Sequence, residues 1–158
     1  VTPVRKFTFI LAKLIPYWAI GFVVLTLCFG FAALLYGLFP IGSLLTIYLF
    51  AGIYILVVSG LGLVISNYSN TMQQAMFVIF FFMMVMILIS GLFTPVESMP
   101  DWAQYITVIN PLKYFIQVMR MVYLKGSGLA DLTGQFAALT GFALFFNLWA
   151  VVSYRKTK

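Results

Sequence analysis

From Ile15 to Val96 the chain contains no aspartate, glutamate, lysine, arginine or histidine. Nothing else in the sequence restricts its fold as strongly. A water-soluble domain keeps its surface wet with charge on about a quarter of its residues; here 8% of 158 residues are charged and 64% are hydrophobic. Lipid is the natural solvent for the outside of such a molecule. An unpaired backbone N–H or C=O finds no water there, so each crossing segment must be a helix, because a four-strand barrel cannot close. The apolar runs recur along the whole chain, unlike a secretory signal peptide, which stands once at the start. The first residue is Val1, as expected of a piece of something longer.

Four uncharged runs read as spans: Tyr17–Phe39, Leu44–Ser66, Thr71–Phe93 and Leu132–Tyr154. As a helix each is about 34 Å long, enough to cross a hydrocarbon core of about 30 Å with some tilt. Short turns, Pro40–Ser43 and Asn67–Asn70, join the first three. Arg5, Lys6 and Lys13 precede the first span, Arg155, Lys156 and Lys158 follow the last, and neither end has an acid. Four spans return the chain to its starting side, so the positive-inside rule makes both termini cytoplasmic and puts the long connection Thr94–Asp131 outside. Tyr17, Trp18, Trp149 and Tyr154 sit near span ends as interfacial aromatics.

The same uncharged stretch excludes chemistry. Proton relays and metal sites at membrane depth need ionisable or metal-ligating side chains. Ser59, Ser66 and Ser90 have no histidine in the chain to activate them as nucleophiles. The lone Cys28 forms neither a disulfide framework nor a metal pair. No G-x-x-x-x-G-K-[ST] phosphate loop occurs, so the chain carries no ATP site of that kind. The expectation is a chain that is no enzyme and holds no cofactor, metal or nucleic acid.

The first fifteen residues read as a surface helix. Thr2 and Pro3 make an N-cap and a first helical position. Phe7, Ile10, Leu11 and Leu14 then recur at i, i+3, i+4 and i+7, with Arg5, Lys6 and Lys13 on other faces. Pro16 is expected to stop or kink this helix before the first span. By periodicity the segment is an anchor on anionic lipid; the alternative is a dock for a cytoplasmic partner.

The external connection holds two further helices, spanning 98–125. Ser98 and Asp101, with Pro100 between them, suggest a capped start. Trp102, Tyr105, Ile106 and Ile109 follow at helical spacing and are expected to bury one apolar face together. Asn110-Pro111 ends that helix and caps the next, on which Lys113, Gln117 and Arg120 form a thin polar stripe before Lys125 and Gly126 close it. Both helices are too short to span; they dip into the outer leaflet and return, or float on its surface. Among lesser features, Phe80–Leu88 is a Met- and Phe-rich run suited to apolar substrates or to lipid. Ala33/Gly37, Gly134/Ala138 and Ala137/Gly141 are small-residue pairs, Gly60 and Gly62 mark a tight contact or a flexible point, and Asn147, Gln73 and Gln74 are candidates to bond across helices.

Taken in order, "TPVRKFTFILAKLIPY", three apolar spans, "SGLFTPVESMPDWAQYITVINPLKYF", "YLKGSGLADL", a last span and a basic tail resemble the permease subunits of type-2 ATP-binding-cassette exporters, bacterial multidrug-efflux permeases above all. The resemblance implies an all-α membrane fold forming the C-terminal part of a six-span subunit, here without its first two spans. It implies a coupling segment, Thr2, Pro3, Val4, Arg5, Lys6 and Lys13, against a nucleotide-binding ATPase subunit that holds the ATP and Mg. It also implies an outer gate of Gly91, Pro95, Glu97, Pro100, Trp102, Tyr105, Asn110, Pro111, Tyr114 and Phe115. A second permease subunit, membrane lipid, the bacterial inner membrane and outward movement of a drug-like or lipid-like substrate complete what it implies. Two rival readings are a stand-alone four-helix protein with a structural or assembly role and a fragment of an ion-coupled carrier.

Overall fold

A computed structural model describes residues 6–153, with side chains from Ala12 onward apart from Lys13. Thr2, Pro3, Val4, Arg5, Tyr154, Arg155, Lys156 and Lys158 lie outside the described residues, as do the side chains of Lys6 and Lys13. Among the described residues there is helix and no strand.

Helix α1 runs from Lys6 to Tyr36 without ending at Pro16, so of the expected stop or kink the stop does not occur. A proline inside a helix removes one backbone bond, whereas stopping the helix would orphan several groups on each side of the break. Where water is scarce the single loss is the cheaper one. The helix ends instead at Gly37, whose φ of +62° is left-handed and open to glycine without strain. Its apolar stretch of span length is Leu14–Tyr36.

Helix α2, Leu44–Tyr68, and helix α6, Thr133–Ser153, form the central pair. Both are long and apolar enough to cross a membrane. Lipid tails are as apolar as leucine, so what holds two such helices together is close packing and bonds between them. Gly60 provides the closeness: a Cβ there would lie 3.0 Å from the Asn147 amide nitrogen and from Phe146 Cβ. Asn147 provides the bond, its Nδ2 donating across the interface to Leu56 O at 3.0 Å and within α6 to Ala143 O at 2.7 Å. Gly60 is therefore a tight contact, while Gly134 and Gly141 face open space. Toward the far end of α2, Asn67 Nδ2 donates to Ala150 O and to Ser153 Oγ.

Helix α3 covers Met72–Leu88, about 25 Å of helix, and stops short of Phe93. Ser90 bends the chain back, its hydroxyl donating to Ile87 O, and Gly91 then turns with a φ of +84°. None of its side chains is buried. Thr71 caps the start of α3, its Oγ1 accepting from Gln74 N, and Gln74 Oε1 reaches one residue beyond the cap to accept from Asn70 N. Gln74 thus serves its own helix end instead of bonding across helices.

Two short helices fill the connection to α6: α4, Asp101–Thr107, and α5, Pro111–Lys125. A 3₁₀ turn at Val96–Ser98 precedes them and another at Leu129–Leu132 leads into α6. Ile47 and Phe50 of α2, Val118 and Val122 of α5, and Leu132 and Leu139 leading through α6 make one buried core. The best-packed region of the chain therefore includes a helix too short to span.

Candidate functional site

The expected outer gate is built around α5. Asn110 caps it, its Oδ1 accepting from Leu112 N at 3.0 Å, with Pro111 occupying the first turn, where a missing N–H costs nothing. The same side chain reaches backward. Ser90 N bonds to Ile87 O, so the carbonyl of Met86 lacks its usual helical partner. Asn110 Nδ2 supplies that partner at 2.7 Å, and the residue is 3% exposed. One asparagine thereby closes the end of α3 and the start of α5.

The polar stripe does similar work along α5. Lys113 Nζ donates to Thr107 Oγ1 at 2.9 Å, and Thr107 in turn donates to Gln104 O. Two helical turns on, Arg120 Nη2 donates to the carbonyls of Gly91 and Leu92, at 2.9 and 3.3 Å. Lys113 thus meets a side-chain hydroxyl, while Arg120 is a charged donor to backbone carbonyls of the turn that follows α3. The opposite face of α5 is apolar: Phe115 stacks on Tyr54 of α2 with ring centroids 4.7 Å apart, and Tyr114 packs near Phe142 of α6. Tyr114 OH also donates to Val108 O at the end of α4.

The far end of α5 is held by the loop between α1 and α2. Gly126, with a φ of +68°, caps the helix. The carbonyls of Val122 and Tyr123 accept from Gly42 N at 3.0 Å and Ile41 N at 3.2 Å, and Tyr123 OH donates to Leu38 O. A Cβ on Gly42 would fall 2.6 Å from Val122 O, so this docking requires glycine. Helix α5 is a strut, fastened to the end of α3 by Asn110 and Arg120 and to the α1–α2 loop by its C-terminal carbonyls.

The remaining residues of the expected gate are spread around α5. Gly91 is buried and makes the turn that Arg120 holds; Pro95 precedes the 3₁₀ turn and accepts from Ser98 Oγ. Ser98 therefore does not cap α4, whose N-cap position is Pro100. Glu97 and Pro100 are exposed. The expected common burial of Trp102, Tyr105, Ile106 and Ile109 is not what forms: Trp102 is 68% exposed and Tyr105 77%. Helix α4 docks by its other face, through Ala103 and Thr107. Small residues let it lie close, and a buried threonine hydroxyl needs the partners that Gln104 and Lys113 offer. Sequence reasoning passed over Gly42 and Thr107. Ala103, Thr107 and Asn110 at i, i+4 and i+7 were the available signal for the second; nothing local marks the first.

Among the described residues no three His, Cys, Asp or Glu side chains gather where a metal could bind. What the arrangement can do is mechanical. The bonds of Asn110 and Arg120 tie α5 to the end of α3 and the turn after it, and its last carbonyls tie it to the α1–α2 loop.

A family model, that of the ABC-2 type transporter, matches residues 1–124. The chain is 36% identical over 129 residues to the probable multidrug ABC transporter permease YbhR of Escherichia coli (strain K12), covering 82% of this chain and 35% of that protein. It is 30% identical over 130 residues to the probable multidrug ABC transporter permease YbhS of the same organism, covering 80% of this chain and 34% of YbhS. The inner membrane transport permease YhhJ, also from that strain, is 24% identical over 161 residues, 99% of this chain and 42% of YhhJ. No solved structure matches.

Proposed function

We infer the function from one premise: the chain belongs to the ABC-2 type transporter family. It is a transport subunit of a multi-pass membrane protein. We propose that it forms part of the permease of an ATP-driven exporter, carrying a hydrophobic or amphiphilic substrate out of the cytoplasm or the inner leaflet. Its similarity to YbhR is the observation that carries this reading. ATP and Mg would sit on a separate ATPase subunit, and a second permease subunit would complete the pathway in the bacterial inner membrane.

In this reading α1, α2, α3 and α6 cross the membrane, α4 and α5 form a hairpin re-entering from outside, and both ends of the segment are cytoplasmic. Two sets of contacts are compatible with that arrangement: the α1–α2 loop meets the end of α5, and Asn67 meets Ala150 and Ser153 at the opposite end. Single cysteines placed near Ser127 and near Lys158, with Cys28 replaced, should differ in intact cells. The first should react with an impermeant thiol reagent and the second should not. Equal labelling would exclude the four-span arrangement.

Thr2, Pro3, Val4, Arg5, Lys6 and Lys13 would receive the stroke of the ATPase, and α1, unbroken from Lys6, would pass it to the bundle. Gly91, Pro95, Glu97, Pro100, Trp102, Tyr105, Asn110, Pro111, Tyr114 and Phe115 would shape the outer exit, with exposed Trp102 and Tyr105 turned toward lipid or the second subunit. The test is Arg5→Glu with Lys6→Glu in the full-length permease. Substrate-stimulated ATP turnover should fall about tenfold with membrane insertion unchanged, since reversing close charge pairs at an interface costs more than about 1.4 kcal/mol. Turnover that survives the reversal would leave the segment an anchor only.

A further inference from the structure

Helix α4 carries three kinds of side chain around its axis. Ala103 and Thr107 are buried against the rest of the chain. Trp102 and Ile106, at i and i+4, stand on a second face, 68% and 46% exposed. Asp101, Gln104 and Tyr105, at i, i+3 and i+4, share a third, which Val108 continues at i+7. This third face borders a cavity of about 300 Å³ whose wall also includes Val96 of the 3₁₀ turn and Lys113 of α5.

The wall of that cavity carries both signs of charge. Asp101 is the exposed first residue of α4, and Lys113 is half-buried near the start of α5. Lys113 Nζ gives one of its three hydrogens to Thr107 Oγ1 at 2.9 Å, which fixes the ammonium between the two helices. Gln104 Nε2 donates to Met99 O at 2.8 Å, so the amide turns Oε1 to its other side as an acceptor. A simple anion would be drawn to Lys113 and repelled by Asp101, and a simple cation the reverse. A ligand with one group of each sign satisfies both. The volume lies at the lower end of ligand pockets, room for a small polar group and not for a drug-sized body.

The neighbouring face of α4 indicates the source of such a group. Trp102 is an amphipathic ring left exposed in a very apolar chain, and rings of this kind settle at the level of lipid headgroups. Ile106 extends the same exposed face by one turn. We propose that the cavity binds the headgroup of a zwitterionic phospholipid that carries a primary ammonium. Its phosphate sits on Lys113, its ammonium on Asp101 and Gln104 Oε1, and its acyl chains lie along Trp102 and Ile106. The lipid thereby bridges α4 and α5. The proposal requires α4 to lie at a membrane surface; it requires neither an ATPase nor a direction of transport.

The test uses the full-length permease, stripped of lipid in detergent and titrated under native mass spectrometry. The probes are phosphatidylethanolamine and phosphatidylglycerol with the same palmitoyl and oleoyl chains. Phosphatidylethanolamine should bind about fivefold more tightly, the upper worth of one exposed ion pair. Asp101→Asn should remove that preference, and Asp101→Lys should reverse it. Lys113→Gln should weaken both lipids about tenfold and leave the preference in place, because the phosphate is common to both. Asp101 is exposed, so its variants decide the matter even where Lys113→Gln fails to fold. Equal binding of the two lipids by the unaltered protein overturns the site, and so does a preference that survives Asp101→Asn. Tighter binding of phosphatidylglycerol by the unaltered protein overturns it too, leaving only an anion contact on Lys113. Glycerophosphoethanolamine, the same headgroup without chains, should not displace the lipid at equal concentration. Displacement by it would show that the ligand is a soluble zwitterion and overturn the lipid assignment. No nucleotide or partner subunit takes part, so failure here leaves the exporter reading standing, and loss of export leaves this site standing.

Discussion

Gly42→Ala is expected to destabilise the helix bundle by about 2–5 kcal/mol, although it adds one methyl group in a loop. The new Cβ would stand 2.6 Å from Val122 O, a backbone atom at the end of α5 that cannot step aside as a side-chain tip would. Overpacking of this kind costs about 1–3 kcal/mol. Relieving it pushes the loop away and strains the bonds from Gly42 N and Ile41 N to the last carbonyls of α5, each worth about 1 kcal/mol net. Gly141→Ala is the matched comparison, because a Cβ there meets nothing within 4 Å. In a helix interior that change should be neutral or stabilising by up to about 1 kcal/mol. Unfolding of the full-length permease in detergent, followed for both variants, checks the pair. A Gly42→Ala protein as stable as Gly141→Ala would show that α5 is not docked on the α1–α2 loop.

Asn110→Ala should cost about 1–4 kcal/mol in the same assay. The N-cap accounts for about 0.5–2 kcal/mol, and the bond to Met86 O, which joins two helices, for about 0.6–1.7 kcal/mol. Asn110→Asp separates these contributions. A carboxylate can still accept from Leu112 N, but it has no hydrogen to give Met86 O and sets a negative charge against that carbonyl in a buried place. Asp should therefore be at least as harmful as Ala. An aspartate variant with wild-type stability would mean that capping alone explains Asn110 and that the link to α3 carries no energy. Trp102→Ala provides the contrast: with the side chain 68% exposed, its effect on the stability of this chain should stay within about 0.5 kcal/mol. If α5 is also the strut of an outer gate, Asn110→Ala should lower export more than it lowers membrane insertion.

The helix ends around α5 were legible because their signals are local. Asn110-Pro111 and Lys125-Gly126 are positions where one or two residues decide whether the backbone continues, and α5 runs between them. The polar stripe was legible as a stripe, since Lys113 and Arg120 are seven apart on a helix. What the stripe meets was not, because Thr107 and the carbonyl of Gly91 come from other elements. The burial of α4 was misread for a related reason. In a soluble domain its row of large apolar side chains would identify the inward face by periodicity, but beside lipid both faces can be apolar. Closeness of approach then selects the inward one, and that favours Ala103 and Thr107 over Trp102 and Tyr105.

By itself the sequence determined that the apolar segments are helical and belong in lipid, because 82 consecutive uncharged positions, Ile15 to Val96, cannot leave backbone groups unpaired there. It also determined the caps of α5, Asn110 and Gly126, for which the deciding atoms lie within a few residues of each other. Only the tertiary structure decided that α1 continues through Pro16, that α3 ends at Leu88, that Gly60 and Gly42 are points of close approach, and that Asn110 serves two helices at once. The last two depend on atoms distant in sequence. Periodicity marks a face as apolar or polar, but a free carbonyl or the room for a Cβ exists only once the neighbouring helix is in place.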